Sequence, residues 1–159
     1  MRPGLFLIVL TAGCALDAEG NDVRAYREQM LPVLQKNALL AQEFLDVASK
    51  AKKGELDGSG SADRFRRNAV PLAQEIAARV AAIDPKTDAL QTSHDQIVKA
   101  WSNRATAYRD LATAWQSGDV VAYDGARARE VQVRLDEEAY MASVNAVTTP
   151  HGVVIDLYP

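Results

Sequence analysis

The sequence predicts an all-α protein: an antiparallel up-down-up-down four-helix bundle with a short apolar C-terminal tail. Three observations carry that prediction. Apolar residues recur at alternating steps of three and four through four long segments. Clusters of Gly, Ser and Pro separate those segments. No self-similarity appears at the period of about 20–50 residues that would mark a solenoid.

The first segment runs from about Asp22 to Lys53. Its stripe is Val23, Tyr26, Met30, Val33, Asn37, Leu40, Phe44, Val47 and Ala51. Pro32 lies within it and lacks the N–H that an interior helical position needs, so a bend or a split is expected there. "KKGELDGSGS", Lys52 to Ser61, reads as a loop. Its "DGSGSAD" portion lacks the alternating acidic ligands and closing glutamate of a calcium loop.

The second helix spans about Ala62 to Ile83, with Phe65, Ala69, Leu72, Ile76, Val80 and Ile83 on one face and a break expected near Pro71. Asp84 and Pro85 suit the cap and first position of the third helix, which extends to about Ser117. Its stripe, Leu90, His94, Ile97, Trp101, Arg104, Tyr108, Leu111 and Trp115, keeps the four-three spacing throughout. Gly118 ends that helix and Asp119 caps the next, a link short enough to force antiparallel neighbours. The fourth helix runs to about Val147, with a stripe of Val121, Ala128, Val131, Leu135 and Ala142 widened by Val144 and Val147. The tail "TTPHGVVIDLYP" is apolar and not helical. It is expected to fold back over a groove or an open end of the bundle, the alternative being a strand offered to a partner's sheet edge.

Bulk composition sets limits on partners. Hydrophobic residues make up 48% of the chain, charged residues 25%, and the net charge is −3. Nucleic acid is a poor fit to that mild acidity, because phosphate neutralisation needs a clustered basic surface. No stretch reaches the roughly 18–20 apolar residues that span a bilayer as a helix. With one cysteine, an intramolecular disulfide is excluded.

That cysteine stands at a particular place. Arg2 supplies a positive charge, Leu5 to Leu10 are all apolar, and the small residues Thr11, Ala12 and Gly13 lead into Cys14. Charged start, apolar core and small-residue exit are the layout of a secretory signal peptide. With "TAGC" at its exit, the segment resembles a bacterial lipoprotein signal peptide, although Thr11 occupies a position that is more often leucine. The resemblance covers residues 1–14 and no family is recognised for the helical domain. It implies a signal peptide at 1–13, cleavage before Cys14 and a diacylglyceryl group on its thiol. It also implies a polar tether over residues 14–21, and a single helical domain over 22–159. Ala15, where Asp is absent, resembles the pattern that sends such proteins to the outer membrane in Gram-negative bacteria. The expected location is therefore the cell envelope, lipid-anchored and facing the periplasm. Each buried methylene contributes about 0.8 kcal/mol to such an anchor.

The search for chemistry is mostly negative. No C-x-x-C-H, H-E-x-x-H or Glu-x-x-His motif is present, and the two histidines, His94 and His151, have no Cys or His neighbour in sequence. No nucleophile elbow or Gly-rich loop supports a Ser-His-Asp arrangement. A haem slot from Met30 and His94 rests on residue type alone, so no cofactor or metal is assigned. What remains is a set of polar residues at core-facing positions: Asn37, His94, Arg104 and Glu138. Folding the chain about Gly118 brings Glu138 within reach of His94. Arg104 and Asn37 fall in a similar layer of helices one and three, where they would set register. Glu130–Arg134 and Arg134–Glu138 at i,i+4 would instead make that side of helix four a solvated face. The expected function is a non-enzymatic, membrane-tethered envelope lipoprotein that serves as a helical interaction or structural module, with another envelope protein as partner. The alternative is a periplasmic bundle that binds a small molecule, haem or metal through His94 and Glu138.

Overall fold

A computed structural model describes the backbone of residues 12–158 and the side chains from residue 18 onward. The proposed signal peptide thus lies almost wholly outside the described residues, as does the side chain of Cys14. The described chain is helical, in the order α1 (Ala12–Lys52), α2 (Gly58–Arg64), a π-helical turn (Phe65–Ala69), α3 (Val70–Ala81), α4 (Asp88–Ser117) and α5 (Val120–Thr148). It contains no strand among the described residues. The α2–π–α3 unit acts as one broken helix, which makes four helical layers in all.

Each break has a local cause. Pro71 cannot donate to the preceding turn, and the chain widens into the π-helical turn just before it. The extra residue moves the buried stripe from Phe65 and Ala69 to Val70, Ala73, Ile76 and Val80. Pro32, by contrast, does not split α1, which is continuous over 41 residues. The seven residues after Cys14 belong to that same helix. Helix α4 starts later than Asp84 and Pro85 suggest: Thr87 is the cap, its Oγ accepting from the N–H of Leu90. Gly118 closes α4 at a φ of 67°, and Asp119 caps α5 through the N–H of Ala122 at 2.9 Å.

The predicted stripes of α1, the broken helix and α4 all face the core. That of α5 does not. Val121 is 83% exposed and Leu135 52%, while Ala128, Val131 and Ala142 are also exposed. The buried line is Ala126, Glu130, Val133, Glu137, Tyr140, Val144 and Thr148. Its spacing is as regular as that of α4, but two carboxylates stand in it. An aliphatic count therefore favours the wrong face, and the right one is buried only because α4 carries groups that pair with those carboxylates.

Pairs across α4 and α5 converge on the link between them: Ser93 with Ser143, Trp101 with Glu137, Asp110 with Arg129. The two helices are antiparallel. Between α1 and α4 the order is the same in both chains, Tyr26 with His94, Asn37 with Arg104, Phe44 with Tyr108, so these two run parallel. Helix α1 packs on the broken helix, where Arg64 grips Glu43 with two hydrogen bonds of 2.7 and 3.0 Å. Helices α1 and α5 approach less closely along the remaining side, where the Tyr26–Tyr140 hydroxyl pair and Arg127 over the Phe44 ring bridge them.

The tail fills part of that side. Gly152, at a φ of 73°, reverses the chain after α5. Residues 153–158 then lie extended, and Val153, Ile155 and Leu157 are buried while Val154, Asp156 and Tyr158 are exposed. That is the period of two expected of an extended segment with one face covered. Asn145 clips Ile155 at both backbone groups, accepting from its N–H and donating to its carbonyl at 2.8 Å each. Asn37 donates to the Leu157 carbonyl at 2.9 Å. The expectation that the tail folds back into a groove therefore describes the structure.

Ile155→Ala should cost about 2–5 kcal/mol of stability, the usual loss for a buried aliphatic. Leu135→Ala, on the exposed side of α5, should change stability by no more than about 0.5 kcal/mol. Urea unfolding followed by circular dichroism measures both. A larger loss at Leu135 than at Ile155 would return α5 to the face that its aliphatic residues suggest.

Candidate functional site

Two buried polar clusters lie along the bundle axis. The larger is centred on Glu137. Its Oε1 accepts from the Trp101 indole at 2.7 Å, and its Oε2 receives the Tyr158 hydroxyl at 3.0 Å and forms a 2.5 Å ion pair with Arg104. Arg104 also donates to Asn37 Oδ1 at 2.8 Å, and the Asn37 amide continues to the tail. Glu137 and Arg104 are 2% and 5% exposed. Burial opposes the guanidinium charge, yet the adjacent carboxylate outweighs it and holds the Arg104 pKa above its ordinary value. One atom is left over: Arg104 Nε has no hydrogen-bond partner.

The second cluster joins α1, α4 and α5 nearer the α1 N-terminus. The Tyr26 hydroxyl lies 3.1 Å from His94 Nδ1 and 3.0 Å from the Tyr140 hydroxyl. Burial lowers the His94 pKa, against the weaker opposing pull of the Val80 and Ile83 carbonyls and Asp95. The ring is therefore neutral at pH 7, with Nε2 buried and without a partner. Neutral His94 can accept from Tyr26 at Nδ1, and Tyr26 can in turn accept from Tyr140. Burial pushes the Tyr26 hydroxyl up to about 12, against the lowering effect of its bond with Tyr140. It raises Tyr140 as well. Both phenols stay protonated, and the chain of three carries no charge.

Of the four polar residues picked out in the sequence, the structure unites Asn37 with Arg104 and separates the other two. His94 belongs to the tyrosine cluster. Glu138 is exposed on the outer side of α5, so the His94–Glu138 pair does not form and a ligand site built on it falls away. The carboxylate that enters the core is its neighbour, one residue earlier. Glu130, read as half of a surface pair with Arg134, is buried and pairs with Arg127 at 3.3 Å. Sequence reasoning missed Glu137, Tyr140, Asn145 and Tyr158. One signal was available for the first two. Tyr140, the one aromatic in the second half of α5, shares a face with Glu137, Val133 and Val144. No local pattern marks Asn145, whose partner Ile155 comes from the returning tail, or Tyr158, which lies in that tail and reaches Glu137 on α5.

Every carboxylate and guanidinium in the larger cluster is engaged by another protein group, and the described residues contain no group of three or more His, Cys, Asp or Glu that could hold a metal ion. The arrangement can set register, lock the tail and hold charge in the core. It offers no exposed nucleophile beside a base.

Arg104→Met should cost about 3–5 kcal/mol, because it strands the Glu137 carboxylate in the core. Adding Glu137→Leu should restore a large part of that loss, which a double-mutant cycle of urea melts reads directly. A second test concerns pH. The unfolded chain protonates His94 near 6.5 and the folded chain only at lower pH, so its contribution is complete above 6.5 and is lost as pH falls below it. Stability should decline as pH falls below about 6.5, and His94→Gln should flatten that decline. An equal slope in the variant would show that His94 takes no part in it.

In comparisons with known proteins, no family model matches the sequence, and neither the curated proteins nor the solved structures give a match.

Proposed function

We propose that the chain is a non-enzymatic lipoprotein of the bacterial cell envelope, anchored through a diacylglyceryl group on Cys14 and facing the periplasm from the outer membrane. Its helical domain is an interaction or structural module for another envelope protein. The observation that carries this reading is the run of Arg2, Leu5 to Leu10 and Thr11 to Cys14, which has the order of a lipoprotein signal peptide. Two further features support it. No described helix is long and apolar enough to cross a membrane, so an attached lipid would supply the attachment. Apart from His94 Nε2 and Arg104 Nε, the buried polar side chains of the two clusters are spent on one another, which suits a scaffold better than a catalyst.

An anchor at Cys14 would also have a direction. Glu19 near the start of α1 lies 4.0 Å from His151 just past the end of α5, and Gly20 packs against the same imidazole. Cys14 is five residues before Glu19, about 7.5 Å along a helix. A lipid on Cys14 would therefore hold this end of the bundle at the bilayer and turn the Gly118 end away from it.

Metabolic labelling with a tritiated fatty acid, in a host that processes lipoproteins, should mark the full chain, and Cys14→Ser should abolish the label and move the protein to the soluble fraction. Equal labelling of both, or of neither, would sink the anchor reading.

A further inference from the structure

We infer that the unfilled half of the cleft between α1 and α5 binds an extended, apolar segment of a partner protein that carries a carboxylate. The proposal deepens the reading of the domain as an interaction module and rests on it, but it does not depend on the lipid anchor.

The cleft is one feature with two halves. In the half towards the α1 N-terminus the chain's own tail is seated, with alternate apolar residues turned inward. Tyr158 of the tail forms a wall of the next recess. That recess, about 330 Å³, is lined by Leu40, Phe44 and Leu45 from α1, Tyr108 and Arg104 from α4, and Arg134 from α5. A second recess of about 240 Å³ adjoins it across Phe44 and continues over Ala48, Ala51, Leu111 and Trp115 to Tyr123 and Arg127. The path of the tail therefore runs on into an apolar trough between the same two helices.

Three properties of the trough select the occupant. First, it continues a seat that already accepts extended backbone, so the same geometry suits a second extended segment with alternate apolar residues. Second, the Tyr108 hydroxyl on its lining makes no hydrogen bond among the described residues and can meet a peptide N–H or C=O group as Asn37 and Asn145 do for the tail. Third, the rim on α5 carries Arg127 and Arg134 against one carboxylate, Glu130. Arg127 leans over the Phe44 ring at 5.9 Å while it pairs with Glu130, and Arg134 has no ion-pair partner among the described residues. A carboxylate on the incoming segment would complete that charge pattern. Leu45 at 66% exposure and Val131 at 51% extend the apolar surface beside the trough.

The chain's own tail provides a probe of the right chemistry, since it buries alternate apolar residues when extended and includes Asp156. A fluorescein-labelled synthetic peptide with the sequence of residues 151–158 is titrated with the full chain carrying Cys14→Ser, and anisotropy is recorded. Saturable binding is expected, weakened at least about tenfold by Arg134→Glu and by Ala48→Trp, the scale of one charge-assisted contact or one filled subsite. Replacing the peptide's Asp by Asn should weaken binding to the wild-type surface and leave binding to the Arg134→Glu variant unchanged. Arg134→Glu alters an exposed side chain, so it keeps the test independent of any folding defect in Ala48→Trp. Absence of saturable binding overturns the proposal. So does binding that ignores both variants but responds to Asn145→Ala, because the peptide would then be displacing the tail. Self-association of the chain that occludes the peptide assigns the trough to a second copy, and peptide binding lost to phosphatidylglycerol vesicles assigns it to lipid; either overturns it. Failure here with intact lipid labelling of Cys14 removes the trough and keeps the anchored module. Intact peptide binding with no labelling does the reverse.

Discussion

The Glu137–Arg104 ion pair is the constraint on which the remaining architecture depends. A carboxylate that is 2% exposed must be matched, and it is matched by three donors from different parts of the chain: the Trp101 indole, the Arg104 guanidinium and the Tyr158 hydroxyl. Those donors fix the rotation of α5 about its axis, because only one face can offer Glu137 to α4. They fix the relation of α1 to α4 through Asn37. They also make the tail a structural element, since both Asn37 and Glu137 reach beyond the helices to hold it. Buried ion pairs stabilise little compared with apolar substitutes of the same volume. Their value here lies in rejecting placements of α5 that would leave Arg104 buried without a carboxylate.

That same pair explains which parts of the fold could be read in advance. Helix α4 presents an unbroken apolar stripe in which Arg104 and His94 are exceptions, so periodicity found its buried face, and the same holds for α1 with Asn37. In α5 the exceptions outweigh the rule. Glu130 and Glu137 lie on the inner face, while Val121, Val131 and Leu135 lie outside, so counting aliphatic residues chooses the solvent side. Burial of Glu137 follows from a partner 33 residues earlier in the chain, and no local pattern contains that information. Proline behaved in two ways for a similar reason. Pro71 meets a chain that can widen into a π-helical turn, whereas α1 continues unbroken across Pro32.

The candidate site divides along the same line. Asn37 and Arg104 could be recognised as polar residues in apolar stripes, and they do meet. His94 could be recognised too, but its partners Tyr26 and Tyr140 belong to stripes that pass for ordinary core filling. The trough between α1 and α5 was invisible because it is a property of what is missing. Three sides of the bundle are closed by helix against helix, and along the fourth the described tail lies between α1 and α5.

The clip that Asn145 places on Ile155 has a dynamic counterpart. The Ile155 N–H is held at 2.8 Å by a side chain that is itself seated on α5, while no hydrogen bond to the N–H of Val154 or Asp156 is formed among the described residues. Amide hydrogen exchange opens backbone groups one by one or in cooperative units. The tail is therefore a place where adjacent amides should exchange at very different rates, with protection at Ile155 set by release of the whole segment. A protein whose described residues are otherwise helical thus carries, at one edge, the alternating exchange signature of a strand, and that signature reports when the cleft between α1 and α5 opens.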